Sequence, residues 1–177
     1  AAFIWERLEA LLLDEGLPFA LVEAALGAAA RGADLPRVAA LARTFARVEH
    51  EEFFNDVVVA YTRPASLAAR AETEPGRGAD AAAAPDPTRF ADEAEHALAA
   101  AVAEVREPLE TALAGGDVEA ALRAAAALRA PVDRYFDAVL VMDKDPELRA
   151  NRLAQLREIT SLLGSLGDFA RLPVQQG

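Results

Sequence analysis

Residues 131–163 read PVDRYFDAVLVMDKDPELRANRLAQLREITSLL, and the fold class follows from this stretch. Its first half has apolar side chains at helical spacing on one face and further apolar side chains on the other faces. Pro131 suits the first turn of a helix, where a backbone N–H has no partner to lose. We therefore predict a helix from Pro131 to Met142 that is the most buried helix of the chain.

The second half of the stretch predicts another helix. Asp145 precedes Pro146, and an aspartate in this position caps the free backbone amides of the first helical turn. Glycines are typical of helix ends, so this helix is expected to end near Gly164 or Gly167. Two consecutive helices, without a strand between them, indicate a helical fold.

Arg152 is predicted to point into the apolar face of the last helix. Rotation of about 100° per residue places Arg152 between Ile159 and Leu163 in projection. A buried, unpaired guanidinium is strongly unfavourable, so Arg152 requires a carboxylate partner. The nearest acids on the preceding helix are Asp137 and Asp133, and we expect one of them to form a structural clamp with Arg152.

The same projection separates the other polar residues of this helix. Arg149 borders the apolar face, whereas Asn151 and Arg157 lie on other sides and are expected to be exposed. Exposed polar groups are the better candidates for contact with a ligand. In the alternative interpretation, Arg149 and Arg152 both serve only the fold.

The rest of the chain has the same 3.6-residue spacing. Six further helical segments are predicted, and the apolar stripes that carry them begin at Phe3, Phe19, Val38, Phe53, Phe90 and Val118. Pro64 is expected to end or kink the fourth helix near Thr62, and Pro108 to bend a long helix over 88–114.

Composition supports an all-α fold. The chain has 177 residues, of which 53% are apolar, 44 are alanine and only 6% are aromatic, which predicts a helical bundle of about eight helices. Residues 73–87, TEPGRGADAAAAPDP, have no apolar side chain larger than alanine and predict a flexible loop or hinge. The bundle can then divide into an N-terminal lobe, 1–72, and a C-terminal lobe, 88–177, which together form one domain.

Several chemistries are unsupported by the sequence. Cysteine is absent, and the two histidines, His50 and His96, lie far apart, so we expect no metal site. There is no glycine-rich phosphate loop and no arrangement of nucleophile and base, so we expect neither catalytic residues nor a bound cofactor. Acidic residues interrupt the first apolar segment, and no apolar run reaches membrane-spanning length; a cytoplasmic protein without membrane contact is expected.

The net charge of −11 produces a long-range electrostatic repulsion that disfavours binding of nucleic acids. One stretch departs from this acidic background. Between residues 134 and 157 five basic side chains outnumber four acidic ones: Arg134, Lys144, Arg149, Arg152 and Arg157. Any binding of nucleic acid is therefore expected to use a local basic surface.

Residues 136–156, FDAVLVMDKDPELRANRLAQL, resemble the C-terminal signature of the β subunit of bacterial heterotetrameric glycyl-tRNA synthetases, approximately FFDxVxVMxxDxxLRxNRLxLL. The segments AGGDVEAALRAAAALRAPVDRYFD, 114–137, and FIWERLEALLLDEGLPFALVEAAL, 3–26, are also similar to this family. The resemblance extends over nearly the whole chain. It implies the helical anticodon-binding region, which is similar to the anticodon domain of arginyl-tRNA synthetases.

The same resemblance has implications for partners. The ATP and glycine site of the family belongs to a separate α subunit, so this chain is expected to be a non-catalytic C-terminal fragment. Its expected partners are glycine-specific tRNA, the rest of the β subunit and the α subunit in a heterotetramer, and not DNA. Where the family has a basic KRVxNI-like helix, this chain has 62–67, TRPASL, so only Arg63 is carried over as a contact.

Six residues are candidates for RNA contact: Arg63, Arg134, Tyr135, Arg149, Asn151 and Arg157. Arginine and asparagine can hydrogen-bond to splayed bases or phosphates, and a tyrosine can stack on a base. Because Tyr135 lies on the apolar stripe, a core position is the alternative for it. A different function, a non-catalytic module that binds another protein, is favoured by the acidic charge.

Overall fold

The computed structural model describes residues 2–72 and 84–173. These residues form helices without any strand, which confirms the all-α fold. The α-helices, in chain order, are α1 Ala2–Asp14, α2 Phe19–Leu26, α3 Leu35–Val48, α4 Glu52–Glu72, α5 Glu93–Ala114, α6 Val118–Ala126, α7 Arg129–Ala138 and α8 Pro146–Gly164. Three 3-10 helical turns accompany them, Gly27–Arg31, Pro87–Arg89 and Phe169–Arg171.

The long helix begins later than the apolar stripe predicts. Asp92 and Glu95 form a capping box, in which the carboxylate of Asp92 accepts from the Ala94 amide at 2.8 Å and the carboxylate of Glu95 accepts from the Asp92 amide at 2.9 Å. This reciprocal cap fixes the start of α5 at Glu93. Most of the predicted hinge at 73–87 lies outside the described residues, which resume at position 84.

Prolines do not interrupt the helices. Two outcomes were open for Pro64, an end or a kink of α4 near Thr62; the end is wrong, because α4 continues through Pro64 to Glu72. Pro64 is buried, and α4 packs along α6, α7 and α8. These tertiary contacts offset the loss of one backbone hydrogen bond at the proline. Helix α5 is likewise continuous through Pro108.

The prediction for α7 is wrong at its end. The helix stops at Ala138, and Val139 adopts an extended conformation. Val139 and Val141 are buried while Leu140 between them is 68% exposed, which is the alternation of an extended segment rather than of a helix. The prediction that α7 is the most buried helix is also wrong, because ten of 19 residues are buried in α8 and two of ten in α7.

One hydrophobic core extends through the described helices. Its aromatic centre contains Phe169, whose ring lies 5.5 Å from that of Phe45 and 5.6 Å from that of Tyr61. The Asp168 amide also donates to the Ala24 carbonyl at 2.8 Å. The turn after α8 is therefore attached to α2, α3 and α4. Among the described helices, none has the length and apolar character that crossing a bilayer requires.

Candidate nucleic-acid interface

Arg152 is buried on α8 and pairs with two carboxylates, as its position in the helical projection requires. Its Nε lies 3.2 Å from a carboxylate oxygen of Glu95, which is itself fully buried at the start of α5. Its Nη1 donates to a carboxylate oxygen of Asp143 at 3.0 Å and to the Leu140 carbonyl at 2.9 Å. The guanidinium thus joins the start of α5 to the loop between α7 and α8.

The predicted partners of Arg152 are wrong. Asp137 is exposed, and Asp133 instead binds Arg63 and Arg129. Because α7 ends at Ala138, the chain after it runs back along α8 and brings Asp143 to the guanidinium. The acid at position 95 comes from an element 57 residues away in sequence.

Asn151 holds another part of the same region. The side-chain oxygen of Asn151 accepts from the Asp86 amide at 2.7 Å, and its nitrogen donates to the Asp86 carbonyl at 3.0 Å. The neighbouring Gln155 donates to the Glu95 carbonyl at 2.9 Å. Asn151 is only 7% exposed, so the prediction that it is exposed is wrong. Both ends of its amide are used to attach the segment before α5 to α8.

Substitution of Asn151 by alanine is expected to lower the free energy of unfolding by about 1–3 kcal/mol, because two backbone groups of Asp86 lose their partner. Urea denaturation measures this change, and amide hydrogen exchange at Asp86 is expected to become faster. The control is Asn55→Ala, since no described side-chain hydrogen bond involves Asn55. Equal losses in the two variants would contradict the assigned role of Asn151.

Tyr135 occupies the core. Its side chain is fully buried, and its hydroxyl lies 3.5 Å from the Arg152 carbonyl, so the ring presents no face for stacking on a base. Burial raises the pKa of the Tyr135 hydroxyl, to which the nearby Glu95 also contributes. The neighbouring Phe136 is half-buried and packs edge to face against Tyr135.

Arg63 is 41% exposed and lies on the outer side of α4 against α7. Its guanidinium stacks over the Phe136 ring at 4.8 Å and pairs with Asp133. Arg129 also binds Asp133, at 2.7 Å, and Asp56, at 3.3 Å. Burial opposes ionisation of Asp133, but the hydrogen bonds from the two arginines outweigh it and hold its pKa below the ordinary value. Two arginines and two aspartates make this cluster electrically balanced.

Unpaired positive charge lies on α7 and the following loop. Arg134 and Lys144 are exposed, and neither has an ion-pair partner among the described residues. Arg149, at the start of α8, is half-buried and donates to the Asp143 carbonyl at 2.9 Å. Acidic residues are close to Arg134, which lines a groove of about 430 Å³ together with Asp92, Glu93 and Asp137.

Arg157 is separated from these cations. Its side chain is only 21% exposed, so the prediction that Arg157 is exposed is wrong. It lies beside Glu72 at the end of α4, with 3.6 Å between its Nε and the carboxylate. The structure therefore does not gather the six candidate residues into one site. It leaves Arg63, Arg134 and Arg149 accessible, adds Lys144, and places Tyr135 and Asn151 inside the fold.

Sequence reasoning missed two residues that organise this region, Glu95 and Asp143. The pattern Asp92-Glu93-Ala94-Glu95 is a visible capping-box signal for Glu95, but its ion pair with Arg152 depends on tertiary packing. No local pattern identifies Asp143. In the described parts of the chain, no group of histidine, aspartate and glutamate side chains is arranged to hold a metal ion.

Comparison with known proteins agrees with the resemblance noted in the sequence. The chain is 38% identical over 171 residues to the glycine–tRNA ligase β subunit of Desulforudis audaxviator, an alignment that covers 97% of this chain and 23% of that protein. It is 38% identical over 170 residues to the β subunit of Moorella thermoacetica and 37% identical over 171 residues to that of Thiobacillus denitrificans, in each case over 96% of this chain and 23% of the relative.

The chain thus spans about a quarter of the length of these relatives. The family profile of the DALR anticodon binding domain matches residues 57–168, from the middle of α4 to the turn after α8. This range contains the whole Arg152 network and the cations of α7, the following loop and α8. More than half of the sequence is covered, and the chain belongs to the family of DALR anticodon-binding domains.

Proposed function

We propose that this chain is the anticodon-binding region of a glycine–tRNA ligase β subunit. In this role it binds glycine-specific tRNA and supports ATP-dependent glycyl-tRNA synthesis, which a separate α subunit catalyses. The observation that carries the proposal is the match of the anticodon-binding family to 57–168, combined with 38% identity to glycine–tRNA ligase β subunits over nearly the whole chain.

The surface that supports RNA binding lies on α7, the loop after it and the first turn of α8. Arg134 and Lys144 are exposed cations without acid partners among the described residues, and Arg149 lies one turn into α8. Anticodon bases are unstacked and can form hydrogen bonds with such side chains. Arg63 of α4, which stacks on Phe136 of α7, is a further candidate beside this surface.

The proposed partners follow from the relatives, which are about four times as long as this chain. The chain is expected to act together with the rest of the β subunit and with the α subunit in a heterotetramer in the cytoplasm. No cofactor is assigned to this part of the enzyme. A module that binds only other proteins is the weaker alternative, because the matching family is defined by anticodon binding.

Arg134→Ala is expected to weaken binding of a glycine tRNA transcript about tenfold, as loss of a base contact costs about 1–3 kcal/mol. Fluorescence anisotropy at low salt measures the dissociation constant. The fold should be unaffected because the Arg134 side chain is exposed.

Arg123→Ala is the control for this experiment. Arg123 is an exposed arginine on α6 that pairs with Glu119 at 2.9 Å and is not one of the proposed contacts. If Arg134→Ala and Arg123→Ala bind the transcript equally well, Arg134 is not part of the interface.

A further inference from the structure

A second basic surface lies between α3, α5 and the C-terminal half of α8. It is an open groove of about 400 Å³ whose polar lining consists of Arg37, Arg106, Glu110, Ser161 and Ser165. Ser161 is 12 residues beyond Arg149 on α8, which corresponds to about 18 Å along the helix axis. The groove is therefore separate from the cations at the start of α8.

Arg31 extends this surface. Its Nη1 donates to the Ser161 hydroxyl oxygen at 3.1 Å, and its guanidinium lies against α8 at Gly164. A Cβ at position 164 would lie 3.3 Å from Cζ of Arg31, so glycine leaves room for this approach. Because the Ser161 oxygen accepts from Arg31, its own hydroxyl hydrogen is available to donate to a ligand.

Two of the three arginines at this groove have no carboxylate partner among the described residues. The backbone amide of Arg37 donates to the capping carboxylate of Asp34 at 2.9 Å, but the Arg37 guanidinium makes no described contact. The described hydrogen bond of the Arg31 guanidinium goes to the Ser161 hydroxyl. Arg106, in contrast, pairs with Glu158 at 3.1 Å and with Glu110 at 3.6 Å. Arg31 and Arg37 thus place two guanidiniums without a described carboxylate partner beside the hydroxyl of Ser161.

We propose that this groove is a phosphate-binding site in which Arg31, Arg37 and Ser161 bind the oxygens of one phosphate group. Guanidinium groups and hydroxyls are the donors that phosphate prefers, and charge-assisted hydrogen bonds of this kind are strong. This assignment rests on the proposed function: the phosphate is one of the tRNA backbone, at a point outside the anticodon bases. The contact then positions the RNA without reading its sequence.

Titration of the 177-residue chain with inorganic phosphate, at constant ionic strength with sodium chloride, tests the site itself. Amide chemical shifts at Arg37, Ser161 and Ser165 are expected to move in the wild type and to stay fixed in Arg31→Ala and Arg37→Ala. The matched control is Arg43→Ala on the same helix, since Arg43 is exposed but paired with Glu15 at 2.6 Å. Absence of local shifts in the wild type would overturn the phosphate site.

Binding of tRNA identifies the source of the phosphate. Arg37→Ala is expected to weaken binding of glycine tRNA and of an anticodon-substituted transcript by the same factor, about tenfold, and to reduce the dependence on salt by about one counterion. Local phosphate shifts together with unchanged tRNA affinity would overturn the assignment to the RNA backbone. Local phosphate shifts without any tRNA binding would support the site and contradict the proposed function, so the two failures are distinguishable.

Discussion

Arg152→Ala is expected to lower the free energy of unfolding by about 3–5 kcal/mol, because it leaves the fully buried Glu95 carboxylate without its cation. The Leu140 carbonyl and Asp143 lose the same donor, which frees the loop after α7 from α8. Urea denaturation followed by circular dichroism measures the change.

The charge explanation has its own test. In Arg152→Ala combined with Glu95→Gln, the loss is expected to be smaller than the sum of the two single losses, since no uncompensated charge remains buried. Arg43→Ala, which removes an exposed arginine from an ion pair, should leave the stability close to that of the wild type. A loss in Arg152→Ala no larger than in Arg43→Ala would contradict the role of the buried pair.

Phe169→Ala is expected to cost about 3–5 kcal/mol of stability, the usual range for removing a buried aromatic ring. The ring is fully buried and packs against Phe45, Phe54 and Tyr61, so its loss leaves a cavity among α3, α4 and the turn after α8. Thermal and urea denaturation both report this change.

Phe19→Ala is the matched control, because the Phe19 ring is 60% exposed at the start of α2. Its removal is expected to change the stability little. If Phe169→Ala were as mild as Phe19→Ala, residues after α8 would not be part of the core.

The starts of α6 and α8 could be predicted because their capping signals are local. Asp117 accepts from the Ala120 amide at 2.9 Å and Asp145 from the Glu147 amide at 2.8 Å, and both caps follow from the order of residues in the sequence. The ends were harder. Pro64 does not break α4, and α7 stops before Val139, because packing against neighbouring helices overrides the local preference in both places.

The burial of Arg152 could also be predicted, since it follows from helical periodicity alone. Its partners could not, because Glu95 is distant in sequence and Asp143 approaches only after the chain turns back at Ala138. The burial of Asn151 could not be predicted for a related reason. In projection, the Asn151 side chain points away from the apolar face of α8. The segment around Asp86 covers that side of the helix.

The hydrogen bonds of Asn151 and Arg152 explain why these two residues occur in the signature that the chain shares with glycyl-tRNA synthetase β subunits. The signature residues Asn151 and Arg152 attach the segment before α5 and the loop after α7 to α8, so they act in the fold. Arg134, Lys144 and Arg149 lie on the elements that this hydrogen-bonded network connects, and Arg149 donates to the Asp143 carbonyl. A fixed framework lowers the entropic cost of presenting these side chains to RNA.

The dissociation constants of the wild-type chain for a glycine tRNA transcript and for the same transcript with a replaced anticodon, each at two salt concentrations, test whether the chain recognises the anticodon. The glycine tRNA is expected to bind at least about tenfold more tightly, and both affinities should fall as salt rises. Equal affinities for the two transcripts, or no binding of either at low salt, would contradict anticodon recognition by this chain.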